Sequence, residues 1–126
     1  MRSQRQLRVG EEIRHELAAI LMRGDVPWPK GFAAASFITV TEVQVSPDLK
    51  NATAYIMPLG GVKLEETVRV LNATIGFFRH TIAQSVQLRY VPKLAFSPDR
   101  SFEHAQRIHE ILNDPEVAKD LGRDDD

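Results

Sequence analysis

The chain has 126 residues, of which 16 are Lys or Arg and 17 are Asp or Glu, and 43% are hydrophobic. This composition is typical of one soluble domain, and a chain of this length buries roughly two thirds of its unfolded surface, so one core is expected without metal or disulfide cross-links. The lack of cysteine excludes disulfides, thiolate nucleophiles and CxxC sites, and no apolar run approaches the ~20 residues that span a bilayer.

The first element is predicted to be an amphipathic helix, because apolar residues recur at helical spacing. These residues are Val9, Ile13, Leu17, Ile20 and Leu21. The helix should end near Gly24, since the segment 26–31 contains two prolines and cannot continue it. We expect Trp28, the only tryptophan, to cover an edge of the core.

Two strands and a hairpin are predicted next. Residues 37–45 are rich in β-branched side chains and nearly alternate in polarity. The alternation slips between Val40 and Val43, which indicates either a bulge or burial on both faces. Turn-forming residues at 46–51 then lead to a second strand over 52–57.

A long apolar helical face follows from Leu64 to Val86, interrupted only by Gly76. The pattern predicts one kinked helix or two in succession. Our hypothesis is that Gly76 adopts a positive φ or a close-approach conformation, so that Gly76→Ala would lower both the melting temperature and binding.

A third strand is predicted over 92–96, and a last helix from an N-cap at Ser101 to Asn113. Its apolar residues, expected to point inward, are Phe102, Ile108, Ile111 and Leu112.

These elements predict an α+β fold: a kinked helix pair packed on a three-stranded mixed sheet, with a first helix before it and a C-terminal helix after it. The order resembles the type II KH arrangement, in which a turn between helices binds nucleic-acid backbone. Residues 1–113 should form one KH-like domain with a net charge of +3, and residues 114–126 a disordered tail with a net charge of −4.

Catalytic and metal-binding patterns are not evident, and we expect no enzyme activity, no metal and no cofactor. His104 and His109 are five residues apart, which places them on different faces of a helix. No nucleophile-elbow pattern surrounds Ser97 or Ser101, and Gly60-Gly61 lacks the further glycines of a phosphate-binding loop.

Four segments, spread from about residue 5 to residue 112, together resemble bacterial ribosome-binding factor A. They comprise residues 8–21, 43–56, 76–96 and 99–112. The Ser-x-Asp-Leu-x-x-Ala stretch begins at Ser46, and the Leu-Arg-x-Val-Pro-x-Leu-x-Phe stretch begins at Leu88. In that family an Ala-x-Gly kink replaces the KH Gly-x-x-Gly turn; here the corresponding residues are Thr74-Ile75-Gly76. The segment 25–35 also departs from the family's Asp-Pro-Arg-Leu run.

The resemblance implies a cytoplasmic, non-catalytic factor that binds the small (30S) ribosomal subunit and its rRNA. Such a factor assists late maturation and processing of the 16S rRNA precursor, including adaptation to cold. We expect it to be a monomer with no membrane partner.

Candidate RNA-binding residues are mostly cations that the pattern places near the predicted kink, the first helix and the third strand. They are Arg2, Arg5, Arg8, Gly76, Arg79, Arg89 and Lys93. Arg2 and Arg5 have few acidic neighbours in the sequence, which favours contact with phosphate. Arg8 precedes Glu12 by one helical turn and could pair with it instead. Arg79 lies one turn after Gly76, and Arg89 and Lys93 flank the entry to the third strand.

Two other functions fit the same sequence. A generic KH-like RNA-binding regulator of translation would keep the basic face and bind isolated RNA well. A protein-interaction module would use an exposed apolar patch around Trp28 and Phe32, and its binding would be nearly insensitive to salt.

Truncation after Asn113 should leave a folded domain whose association with an anionic partner is not weakened, because the removed tail is acidic. Thermal melting and binding of the two chain lengths test this expectation. Loss of the cooperative melt on truncation would show that the tail is structural.

Overall fold

The computed structural model describes residues 2–89 and 91–113, with the side chains of Phe102, Glu103 and Gln106 left aside. The acidic tail predicted for 114–126 lies outside the described residues. The elements in chain order are α1 (Gln4–Arg23), β1 (Ile38–Val45), β2 (Asn51–Pro58), a short 3₁₀ turn (Leu59–Gly61), α2 (Leu64–Ala73), α3 (Ile75–Ser85), β3 (Lys93–Pro98) and α4 (Ser101–Leu112).

Helix α1 confirms the predicted first helix and has a defined cap at each end. The Ser3 hydroxyl accepts the Gln6 backbone N–H, and the Gln6 side chain accepts the Ser3 N–H, which is a capping box. Gly24 ends the helix in the left-handed conformation at φ 73°. The predicted apolar stripe is buried, with Leu21 half-buried at its edge.

The sheet has the order β1-β2-β3, with β1 antiparallel and β3 parallel to the central β2. The α+β fold with a mixed three-stranded sheet is therefore confirmed. A register shift between Val40 and Glu42 shows that, of the two explanations for the slip in alternation, the bulge is the correct one. It explains why the buried residues of β1 are spaced unevenly, at Val40, Val43 and Val45.

All packing of α1, α2 and α3 is on one face of this sheet, and the core lies between the two layers. Phe78 of α3 is fully buried and meets Phe96 of β3 edge to face, at 4.9 Å between ring centroids. Trp28 is half-buried against the core, as predicted for an edge position.

Helix α1 approaches β1 very closely at one point. A Cβ atom on Gly10 would lie only 2.6 Å from the Val43 carbonyl oxygen, so only glycine fits there. One turn earlier, the buried Gln6 side chain donates from Nε2 to the Val45 carbonyl oxygen at 2.8 Å. These two contacts fix the position of the N-terminal half of α1 along the strand.

The outer edge of β3 is covered by one side chain of α2. Asn72 donates to the Phe96 carbonyl oxygen at 3.0 Å and accepts the Phe96 N–H at 2.8 Å. The amide replaces the hydrogen bonds of a further strand at that residue, which disfavours pairing of this edge with another chain.

The hypothesis of an unusual conformation at Gly76 is wrong. The break between α2 and α3 falls at Thr74, with φ −107° and ψ 23°, and the Thr74 hydroxyl donates to the carbonyl oxygens of Val70 and Leu71. Gly76 lies inside α3 without a positive φ, and an added Cβ would meet nothing within 4 Å. The Thr74 hydroxyl thus bonds carbonyl oxygens at the end of α2, and the break between the two helices needs no special backbone conformation at Gly76.

Two expectations about α4 are also wrong. Ser101 is the first helical residue rather than the N-cap, and the Asp99 carboxylate accepts its N–H at 2.8 Å. Ile108, Ile111 and Leu112 are 43%, 49% and 48% exposed rather than inward. The reason is that α1, α2 and α3 already cover the core face of the sheet. An ion pair between Arg100 and Glu65 links the start of α4 to α2.

The two helical glycines should respond oppositely to alanine. Gly76→Ala should raise the free energy of unfolding by up to ~1 kcal/mol, because Ala is the better helix former and has room. Gly10→Ala should lower it, since the methyl group collides with a backbone oxygen. Denaturant melts of both variants measure the difference, and destabilisation by Gly76→Ala would contradict the helical assignment.

Candidate nucleic-acid interface

A groove of about 780 Å³ lies between three segments that are distant in the sequence. Its walls are formed by the N-terminal half of α1, by the 46–50 turn, and by residues 87–89 together with Pro92. Three of the predicted RNA-binding residues, Arg5, Arg8 and Arg89, line this groove, and all three are exposed. We call it the arginine groove.

The arginine groove owes one wall to a tightly bonded turn. The Ser46 hydroxyl donates to Asp48 Oδ1 at 2.6 Å, and the Lys50 N–H donates to the same oxygen at 3.0 Å. Leu49 between them has φ 61°, a conformation that is rare for a bulky side chain. The turn is joined to the opposite wall because the Lys93 N–H donates to the Lys50 carbonyl oxygen at 2.7 Å.

The charge of the groove is mixed. Asp48 and Glu12 line it together with the three arginines. The hydrogen bond from Ser46, and then that from the Lys50 N–H, hold the pKa of Asp48 below its ordinary value. Asp48 is therefore ionised at neutral pH, and an anion would be drawn to the arginines and kept away from the turn.

An acidic stretch of α1 borders the arginine groove beyond Arg8 and limits the basic surface there. A second groove, adjoining the first at Arg8, is lined by Glu11, Glu12, His15 and Glu16. Glu11 pairs with Arg14 at 2.5 Å, and the hydrogen bond from Arg14 lowers the pKa of Glu11. The cationic part of α1 facing the grooves is thus confined to its first two turns.

The other predicted RNA-binding residues do not line the arginine groove. Arg79 and Gly76 are exposed on α3, and Lys93 is exposed at the start of β3. Arg2 forms an ion pair with Glu42 at 2.9 Å. Arg2 has few acidic neighbours along the chain, but the fold brings Glu42 of β1 beside it from 40 positions away.

Several lining residues had no individual signal in the sequence. Gln87 and Leu88 reach the groove because α3 ends at Ser85 and the chain then passes α1. Leu49 belongs to the motif that begins at Ser46, but only its left-handed backbone shows that it forms a wall.

An apolar region lies near the opposite end of α1. Trp28 packs on Phe32 with 5.5 Å between ring centroids, and the Lys63 ammonium lies 5.9 Å from the Phe32 ring. Met22, Phe37, Leu59 and Val62 are exposed. This region is the surface that a protein-interaction function would use.

The described residues show neither a metal site nor a membrane-spanning helix. Within residues 2–89 and 91–113, His, Asp and Glu side chains form no group of three that could hold a metal ion. No helix in that part of the chain combines the length and apolarity needed to cross a membrane.

Comparison with known proteins gives one consistent family. The family profile described as Ribosome-binding factor A matches residues 5–112. A Ribosome-binding factor A of Paramagnetospirillum magneticum is 50% identical over 119 residues, which are 94% of this chain and 82% of that protein. One of Rhodospirillum rubrum is 48% identical over 120 residues, covering 95% of this chain and 72% of that protein.

Solved structures of similar fold carry the same description. A Thermotoga maritima structure assigned as a ribosome binding factor A superposes with a TM-score of 0.63 at 30% identity, covering 80% of this chain and 92% of that one. A crystal structure of ribosome-binding factor A from Thermus thermophilus superposes with a TM-score of 0.63 at 21% identity, covering 76% and 98%. A homology model of the Thermus thermophilus factor, fitted into a cryo-EM map of its complex with the 30S subunit, has a TM-score of 0.58 at 21% identity, covering 72% and 91%.

Proposed function

Because the chain belongs to the ribosome-binding factor A family, we propose that it binds the small ribosomal subunit and its rRNA during late maturation. In this proposal it assists processing of the 16S rRNA precursor, including in the cold. It acts in the cytoplasm as a monomer, by binding rather than by catalysis.

The observation that carries the proposal is the arginine groove. Arg5 and Arg8 come from α1 and Arg89 from the segment after α3, yet the fold places all three on one concave surface. Guanidinium groups bind phosphate oxygens in paired hydrogen bonds, and phosphate contacts supply most of the affinity for nucleic acid. A groove with this lining is suited to a folded RNA backbone.

The acidic residues of the groove would fix the orientation of a bound RNA backbone. Glu12 and the ionised Asp48 repel phosphates at two sides of the three arginines. Contacts to the backbone fix orientation without reading sequence, so this charge pattern would orient the factor on its rRNA site. We propose Arg2, Arg79, Lys93 and the backbone near Gly76 as additional contacts outside the groove.

The apolar region around Trp28 and Phe32 favours a second candidate function, a protein-interaction module. Its exposed side chains Met22, Phe37, Leu59 and Val62 would bury apolar area against a partner. Binding through that region would depend weakly on salt, whereas binding through the arginines would depend strongly on it.

Sedimentation with small subunits at several salt concentrations tests the proposal. Affinity should fall steeply with salt, with a log-log slope of roughly 0.7 to 0.9 per neutralised phosphate. Arg5→Gln and Arg89→Gln should each weaken association and reduce the slope by about one unit.

Arg107→Gln on α4 is the matched control, because it removes one exposed cation that does not line the groove. It should change association little. A flat salt dependence, or equal loss in all three variants, would count against the arginine groove and for the apolar region.

A further inference from the structure

The arginine groove has apolar walls as well as cationic ones. Leu49 lies on the turn side, and Leu88 and Pro92 lie on the side after α3. Leu49 and Leu88 are half-buried and pack against the core, so each presents only part of its side chain to the groove. The groove therefore offers a bound molecule a limited apolar contact between its arginines.

Leu49 is held in a conformation that disfavours it. Its φ of 61° lies in the left-handed region, where glycine or asparagine is the ordinary choice. The hydrogen bonds of Ser46, Asp48 and Lys50 impose that backbone. Backbone strain of this kind persists only where the surrounding structure enforces it, as these hydrogen bonds do at Leu49.

We propose that the arginine groove holds an unpaired RNA nucleotide, whose base packs against the exposed parts of Leu49 and Leu88 while flanking phosphates bind Arg5, Arg8 and Arg89. The inference rests on the proposed function and names the form of RNA that the site takes. The factor would thus recognise a strand end, loop or bulge in which a base is free to leave its stack.

Two features favour an unpaired nucleotide over a duplex. A paired helix presents its sugar–phosphate backbone outward and has no apolar group to enter a concave groove, whereas a splayed base has a flat apolar face. The groove is partly open to solvent, and its volume of about 780 Å³ is enough to admit a base. Bases commonly lie against apolar side chains and guanidinium planes in such sites.

The test compares two RNA hairpins of equal length, one fully paired and one with a single bulged 2-aminopurine. Binding to the full chain is followed by anisotropy, and the environment of the base by its fluorescence. The bulged hairpin should bind about fivefold more tightly, the scale expected when one face of a base buries a few tens of Å² of apolar surface. Its fluorescence should change on binding.

Leu49→Asn and Leu88→Asn probe the two walls separately. Asn tolerates the left-handed backbone at position 49, so the turn should persist. Each variant should abolish the preference for the bulge without changing the salt slope. Lys63→Asn is the matched control, because Lys63 is also left-handed at φ 57° but does not line the groove, and it should keep the preference.

Equal binding of the two hairpins by the unaltered chain would overturn the inference, as would a preference that survives in both folded wall variants. Sedimentation with small subunits separates this failure from failure of the proposed function. Association lost in Arg5→Gln, together with no preference for the bulge, would retain the ribosomal role and reject the unpaired nucleotide.

Discussion

The close contact between α1 and β1 is the constraint on which the site depends. Gly10 allows the helix backbone to lie against the Val43 carbonyl, and Gln6 joins the helix to Val45. A helix held at two points one turn apart cannot rotate or slide freely along the strand. Arg5 and Arg8 flank Gln6 on the helix, so this contact decides that they face the groove.

The opposite wall depends on the parallel pairing of β2 with β3. Lys93 pairs with Asn51, and its N–H donates to the Lys50 carbonyl oxygen, which places the start of β3, and with it Pro92, beside the 46–50 turn. Buried apolar packing of Phe78 on Phe96 and the Asn72 amide hold β3 in that register. The groove is therefore assembled by core packing and backbone hydrogen bonds rather than by contacts among its own charged residues.

Local patterns in the sequence predicted the elements well because each is governed by nearby residues. The period of the apolar stripe located α1, and the slip between Val40 and Val43 located the bulge. The helix break was predicted to within two residues but attributed to Gly76. Backbone propensity singles out glycine, whereas the hydroxyl of Thr74 bonds carbonyls that only the folded helix presents.

The site was predicted in part, since Arg5, Arg8 and Arg89 were identified but not their common surface. Pairing across the sheet and packing between layers set that surface, and neither follows from spacing along the chain. The ion pair of Arg2 with Glu42 and the exposed face of α4 were missed for the same reason. The amphipathic pattern of α4 indicates an apolar face without showing that three other helices already cover the core.

A double-mutant cycle tests the central claim, that anchoring of α1 positions the arginines. Gln6→Leu removes the bond to Val45 and also the capping-box bond from the Ser3 N–H, so it loosens the start of α1 at both points. Arg8→Gln removes one cation. Small-subunit affinity is measured for both single variants and the double variant below their melting temperatures. The account predicts that Arg8→Gln costs less affinity in the Gln6→Leu background, with a coupling of about 0.5 kcal/mol or more. Strictly additive losses in folded proteins would contradict it.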